Sequence, residues 1–202
     1  MTLRIIVTVL LCGLLAGGLV GCGGGGEGAL ATVTGRVVDD GSLQAIASAV
    51  VRIGSARDTT AADGSFTLTD APTGVQTLTV SAAGHEAHQE GVNLAGGANV
   101  LGFVYVPPNL PPGTGAVTGT LTLSDGSRVG GAVIQSATAS ARSRADGTGR
   151  FTLYGVTPGT PQVTFADPAS GQSAWRYVPV NAGRVSDVGQ VRLSAGPPPP
   201  PL

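Results

Sequence analysis

The chain contains no lysine: all 11 of its basic residues are arginine. Lysine nucleophiles and Schiff-base chemistry are therefore excluded. The two cysteines, Cys12 and Cys22, both lie within the first 22 residues, so the rest of the chain holds no disulfide and no thiol nucleophile. Histidine occurs twice, at His85 and His88. Aromatic residues make up 4% and charged residues 11% of the sequence, and the net charge of −1 gives no electrostatic ground for binding nucleic acid. Past the N-terminus no long segment repeats apolar residues with a helical period, so no helical domain is expected.

What is present is glycine, 33 of 202 residues, with 14 prolines and abundant Thr, Val and Ala. That mixture suits short strands and tight turns. Thr32 to Val38 alternates, which puts Val33 and Val37 on one face and Thr34 and Arg36 on the other. Short β-rich runs follow at Ala49 to Ile53, Phe66 to Thr69, Val75 to Val80 and Val100 to Val106. Asp-Gly pairs at Asp40-Gly41, Asp63-Gly64, Asp125-Gly126 and Asp146-Gly147 mark the breaks and predict type I′ hairpin turns. The expected class is all-β, built as β-sandwiches.

The sequence also repeats itself. Thr34-Gly35, Ala49-Val50, Asp63-Gly64-Ser65-Phe66-Thr67-Leu68 and Pro72-Thr73-Gly74 return in order as Thr118-Gly119, Ala132-Val133, Asp146-Gly147 leading to Phe151-Thr152-Leu153, and Pro158-Gly159. The offset is about 84 residues, with Gly149-Arg150 read as a two-residue insertion before Phe151. Between the copies, Pro107-Pro108-Asn109-Leu110-Pro111-Pro112-Gly113 reads as a semi-rigid spacer holding two modules apart.

This order of motifs resembles the carboxypeptidase regulatory-like domain over about residues 30–106 and again over 115–194. The resemblance implies two tandem seven-stranded, transthyretin-like sandwiches of the carbohydrate-binding-like group. The second copy departs further: Asp167-Pro168 stands where the first has Gly84 followed by His85. Such a family is informative about fold and says little about activity.

The N-terminus reads as an export signal. Arg4 precedes a nearly continuous apolar run from Ile5 to Leu19, short for a membrane-spanning helix. Leu19-Val20-Gly21-Cys22 then resembles a bacterial lipobox, which implies diacylglycerol on the Cys22 sulfur, cleavage before it, and acylation of the new N-terminus. Gly23 to Gly26, Glu27 and Gly28 have the composition of a tether. Residue 23 is Gly rather than Asp, which by the same resemblance points to the outer membrane in a cell with two membranes. The expected organisation is a signal peptide over 1–21, lipidated Cys22 with a Gly-rich tether over 22–29, sandwiches over 30–106 and 115–194 joined by a linker over 107–114, and a Pro-rich tail over 195–202.

Catalytic patterns are not found. Gly84-His85-Glu86-Ala87-His88 spaces its histidines three apart, on a loop entering a strand, where a zinc helix needs four; both are read as solvated loop residues. There is no Gly-x-Ser-x-Gly elbow and no phosphate-cradling loop. Asp63 and Asp146 share a repeat position, which favours a turn over a catalytic pair, and bare Asp-Gly lacks the alternating ligands of a calcium loop. A non-enzyme is expected, with no cofactor beyond the covalent lipid and no metal.

One constellation suggests binding. Val104 and Val106 align with Val191 and Leu193, so they face inward and Phe103 and Tyr105 face out. Val178 and Val180 align with Val92 and Leu94, which turns Trp175 and Tyr177 outward. Three readings stand: the rings pack beneath loops or between the modules, contact a protein, or contact a glycan. The function expected is a membrane-anchored envelope module for binding, adhesion or scaffolding. The alternatives are a carbohydrate-binding lipoprotein and an accessory to an envelope peptidase.

Overall fold

A computed structural model describes residues 29–144 and 147–196. The signal segment, Cys22, most of the tether, Asp146 and the Pro197–Pro201 tail lie outside the described residues. Seven strands form the first unit: β1 (Leu30–Asp39), β2 (Val50–Ile53), β3 (Ala56–Thr59), β4 (Ser65–Pro72), β5 (Gly74–Ser81), β6 (His88–Leu94) and β7 (Gly97–Val106). They make two sheets, ordered β4-β1-β7 and β3-β2-β5-β6. The second unit repeats this with β8 (Gly115–Thr122), β9 (Val133–Gln135), β10 (Ser140–Arg142), β11 (Arg150–Val156), β12 (Gln162–Asp167), β13 (Gln172–Tyr177) and β14 (Val185–Arg192). Its sheets run β11-β8-β14 and β10-β9-β12-β13, the same topology shifted by seven strands. In each, the first and last strands pair in parallel and all other pairs are antiparallel. Among the described residues there is no helix, and the all-β, two-sandwich architecture is as expected.

Alternation along the strands builds two separate cores. Val33, Val37, Val51, Ile53, Leu68 and Leu78 are fully buried in the first. The second is centred on Phe151 and Phe165, whose rings meet edge to face with centroids 5.5 Å apart, among Val117, Leu121, Ile134 and Leu153. Each such side chain contributes about 1.5–3 kcal/mol by leaving water.

The registers explain why the motif recurs. Thr34-Gly35 lies directly across from Phe66-Thr67, and Thr118-Gly119 across from Phe151-Thr152. A Cβ on Gly35 would sit 2.7 Å from the Phe66 ring, and one on Gly119 would sit 2.7 Å from the Gly189 carbonyl and 3.1 Å from Phe151. The glycine therefore makes room for the aromatic ring that plugs each core. Beside it, β7 and β14 each bulge, at Gly102 and Gly189. A buried hydroxyl also repeats. Thr60 Oγ1 donates to the Ile46 carbonyl and accepts from the Ala49 N–H, at 2.7 and 2.8 Å; Ser143 Oγ does the same with Val129 and Ala132, at 2.8 and 3.0 Å.

Four expectations need correcting. Three of the Asp-Gly pairs are not type I′ turns, the fourth including Asp146 outside the described residues: Gly64 and Gly126 have positive φ, but Asp63 and Asp125 do not, and neither does Gly41. Ala61 and Leu123 instead open three-residue hairpin loops ending in a left-handed glycine, with Asp63 and Asp125 accepting from the backbone N–H and hydroxyl of Ser65 and Ser127. Second, Gly149 is not inserted. It bonds Leu121 as Gly64 bonds Val37, so the two extra residues lie between Arg144 and Gly149. Third, His85 is not a solvated loop residue: its side chain is 16% exposed and its Nε2 lies 3.1 Å from Asp39 Oδ2. Fourth, the linker does not stand free. It runs antiparallel to the 84–86 loop, with Glu86 N–H donating to Pro107 and Asn109 N–H to Gly84, both at 2.9 Å.

Candidate functional site

β13 is the last strand of its sheet, paired on one side with β12. Its odd residues turn away from the core that Val178 and Val180 enter just beyond it, which leaves Trp175 44% and Tyr177 63% exposed. The two rings meet edge to face, 5.7 Å between centroids and 83° between planes. They form a corner rather than a flat platform. Beside the indole lies a recess of about 270 Å³ lined by Ser173, Ser194 and Gly196. An apolar wall next to hydroxyl groups can hold a ring that is apolar on one face and polar at its rim.

Phe103 and Tyr105 occupy β7, the edge of the opposite kind of sheet in the first sandwich. They too sit side by side, 6.2 Å apart and tilted by 43°, but their surroundings differ. Phe103 is 49% exposed, whereas Tyr105 is partly covered by Arg144 of the second sandwich, whose guanidinium carbon lies 4.1 Å from its ring centroid. Tyr105 thus follows the reading in which an aromatic packs between the two modules. Val104 and Val106, between and beyond them, are buried as the repeat alignment requires.

Arg144 does more than cover a ring. Its Nε and Nη2 donate to Asp40 Oδ1, at 2.7 and 2.5 Å, while Tyr154 Oη donates to Asp40 Oδ2 at 3.0 Å. The Arg142 N–H donates to the Gly41 carbonyl at 3.0 Å. Asp40 is buried, and its carboxylate is met by a charge and a hydroxyl from the other sandwich. Burial first, then the negative charge of Asp40 and the bond to it, push the Tyr154 hydroxyl well above the usual tyrosine range. The loop that carries Asp40 is shaped from within: Asp39 Oδ1 accepts from Gly41 N–H, Ser42 N–H and the Ser42 hydroxyl.

Alternation turns all four aromatics away from the cores, but nothing in it singles out Asp40, Tyr154 or Arg144 as a contact. A signal existed. Arg144 directly follows the buried hydroxyl of Ser143, where the first copy has Ala61 after Thr60. A charged residue at a position that its repeat fills with alanine is a mark of contact outside the module. The structure brings Phe103, Tyr105 and Arg144 together on one face and keeps Trp175 and Tyr177 on another sandwich. Cys22 lies outside the described residues. Among the described residues no group of three His, Cys, Asp or Glu side chains is disposed to hold a metal ion.

Residues 32–104 match the family model of the carboxypeptidase regulatory-like domain. No curated protein matches the chain. Among solved structures, the TIE protein of Bacillus anthracis aligns at 13% identity over 82% of this chain, with a TM-score of 0.34. The chain spans only 34% of that protein. The minor pilin GBS52 of Streptococcus agalactiae aligns at 13% identity over 85% of this chain and 98% of its own, with a TM-score of 0.31. The shaft pilin SpaA of Lactobacillus rhamnosus GG aligns at 9% identity over 84% of this chain and 98% of its own, with a TM-score of 0.26. Likenesses this slight do not bear on what the chain binds.

Proposed function

We propose that this protein is a non-catalytic binding module of the bacterial cell envelope, held to a membrane by lipid on Cys22 and displaying two docked sandwiches. The observation that carries the binding role is the Trp175–Tyr177 pair, two large rings left 44% and 63% exposed on an edge strand. In a chain with so few aromatics, two contiguous rings exposed at an edge form the kind of patch that marks an interaction surface. The anchoring rests on the Leu19-Val20-Gly21-Cys22 pattern and the glycine tether behind it. Two acyl signals on one residue give stable attachment, since each buried methylene adds about 0.8 kcal/mol and one chain alone is marginal.

Within this role the ligand is a protein surface or a glycan. The recess beside Trp175, walled by indole and rimmed by Ser173 and Ser194, favours a sugar ring as a second reading. A part played beside an envelope peptidase is supported only by the name of the family that residues 32–104 match. The test is a panel of peptidoglycan, capsular and storage polysaccharides presented to the protein and to Trp175→Ala. Binding that is lost in the variant establishes glycan recognition at β13. Absence of binding to every polymer, with Trp175 emission unchanged by them, removes the glycan reading and leaves envelope proteins. For the anchor, Cys22→Ala is expected to abolish labelling from a fatty-acid precursor, and labelling that persists would refute it.

A further inference from the structure

The two sandwiches furnish one equivalent position with opposite chemistry. In the second, Arg176 of β13 lies across the gap between the two sheets. Its Nη1 donates to the Val188 carbonyl at 3.1 Å and its Nη2 to the Gln190 carbonyl at 3.4 Å. Both acceptors belong to β14, the edge strand of the facing sheet, on either side of the Gly189 bulge. The guanidinium closes the mouth of that sandwich by bonding main-chain oxygens that edge strands otherwise leave to water.

Strand registers identify the counterparts in the first sandwich. Arg176 pairs with Val163 as Glu90 pairs with Leu78, and both Val163 and Leu78 are buried two residues before the core residue opposite Ile134 or Val51. Gln190 pairs with Thr120 as Phe103 pairs with Arg36, so Val188 corresponds to Leu101. Glu90 therefore stands where Arg176 stands, against the β7 backbone at Leu101 and Phe103. A carboxylate cannot donate to a carbonyl, so this mouth is not closed from β6. A cleft of about 550 Å³ opens there, lined by His88, Glu90, Leu101, Phe103, Tyr105 and Arg144.

We infer that this cleft binds a guanidinium group, the side chain of an arginine presented by a partner protein, in the place that Arg176 fills in the other sandwich. The Glu90 side chain is 52% exposed, and His88 Nε2 approaches it at 3.5 Å. The half-exposed Phe103 offers a ring face beside it. Carboxylate, backbone carbonyls and aromatic face together suit a flat cation with donors along its edge better than a compact ammonium. Arg144, the cation already lining the cleft, has its charge met by Asp40 at 2.5 Å and does not leave the site positive. This site lies on the sandwich opposite to Trp175 and Tyr177 and needs neither a glycan nor the lipid, so it stands or falls independently of the function proposed above.

The experiment titrates the isotope-labelled full-length protein, held in detergent, with acetyl-arginine methylamide and follows the backbone amides of Glu90 and residues 101–103. Saturable shifts at about millimolar concentration are expected for one charge-assisted, ring-stacked side chain. Acetyl-citrulline methylamide, equal in shape and uncharged, should bind about tenfold more weakly, and Glu90→Gln should weaken the arginine probe by a similar factor. Glu90→Arg, which installs the arrangement of the second sandwich, should abolish the shifts while the protein still melts cooperatively. If Glu90→Arg does not fold, Glu90→Gln decides. The inference is overturned if citrulline binds as tightly as arginine, if Glu90→Gln binds unchanged, or if no saturable shift appears.

Discussion

Single residues set the tightest constraints on this fold, and the repeat allows each to be checked twice. Thr60 and Ser143 each bridge a buried N–H and a buried carbonyl across a loop. Thr60→Val preserves shape and orphans both backbone groups, so a loss of about 1–3 kcal/mol is expected by urea denaturation; Ser143→Ala should behave alike. Gly119→Ala should cost about as much, because its new methyl meets a backbone carbonyl at 2.7 Å that cannot swing away. The turn carboxylates respond to pH. Bonds from the Ser65 hydroxyl and N–H, then the Arg36 charge, hold Asp63 below the usual carboxylate range, and Ser127 does the same for Asp125. Their folded forms bind protons later than the unfolded chain. That contribution is complete above the ordinary carboxylate pKa and is lost as pH falls through the depressed values. Asp63→Asn should accordingly flatten the acid limb of a stability–pH curve, and an unchanged limb would show that the turn carries no such linkage.

At the scale of elements, strands that alternate or are rich in β-branched residues are readable from the sequence, and a short polar strand is not. β1 alternates over Thr32 to Val38, while β4, β5 and β7 are legible as short runs rich in β-branched and aromatic residues. β3, Ala56-Arg57-Asp58-Thr59, has one buried apolar residue and is held as a strand by its pairing with β2. The type I′ turns failed for a related reason. Asp-Gly fits two loop geometries, and the choice is made by whether the flanking strands close with two or three residues between them. Edge strands also separate function from stability. Trp175→Ala on β13 should change the unfolding free energy by no more than about 0.5 kcal/mol, whereas Leu153→Ala, a side chain that β11 buries in the core, should cost about 2–5 kcal/mol. A large loss from Trp175→Ala would mean that the ring packs rather than presents.

For the whole molecule, the contact between sandwiches is the main departure from expectation. The proline spacer lies against the 84–86 loop, and Asp40 is enclosed by Arg144 and Tyr154. Arg144→Ala removes both bonds to Asp40 Oδ1 and the cover over Tyr105. Leaving Asp40 buried without its cation is costly, so the sandwiches should part and rehydrate it. Small-angle scattering should then show a longer maximum dimension, and relaxation measurements two tumbling times, with each sandwich still folded. A variant that tumbles as one body would show that the linker alone fixes the arrangement.

The strand period, the doubled motif, the two cores and the outward turn of the four aromatics are legible in the order of residues alone. Those follow from side-chain alternation and from glycine facing phenylalanine, which act over a few residues or across one strand pair. Long-range packing places Tyr105 under Arg144 while Trp175 faces water, and leaves open at Glu90 a mouth that Arg176 closes in the other sandwich. These are contacts between residues far apart in the chain. Their identity depends on which surfaces the two sandwiches bring together, and no local period encodes that.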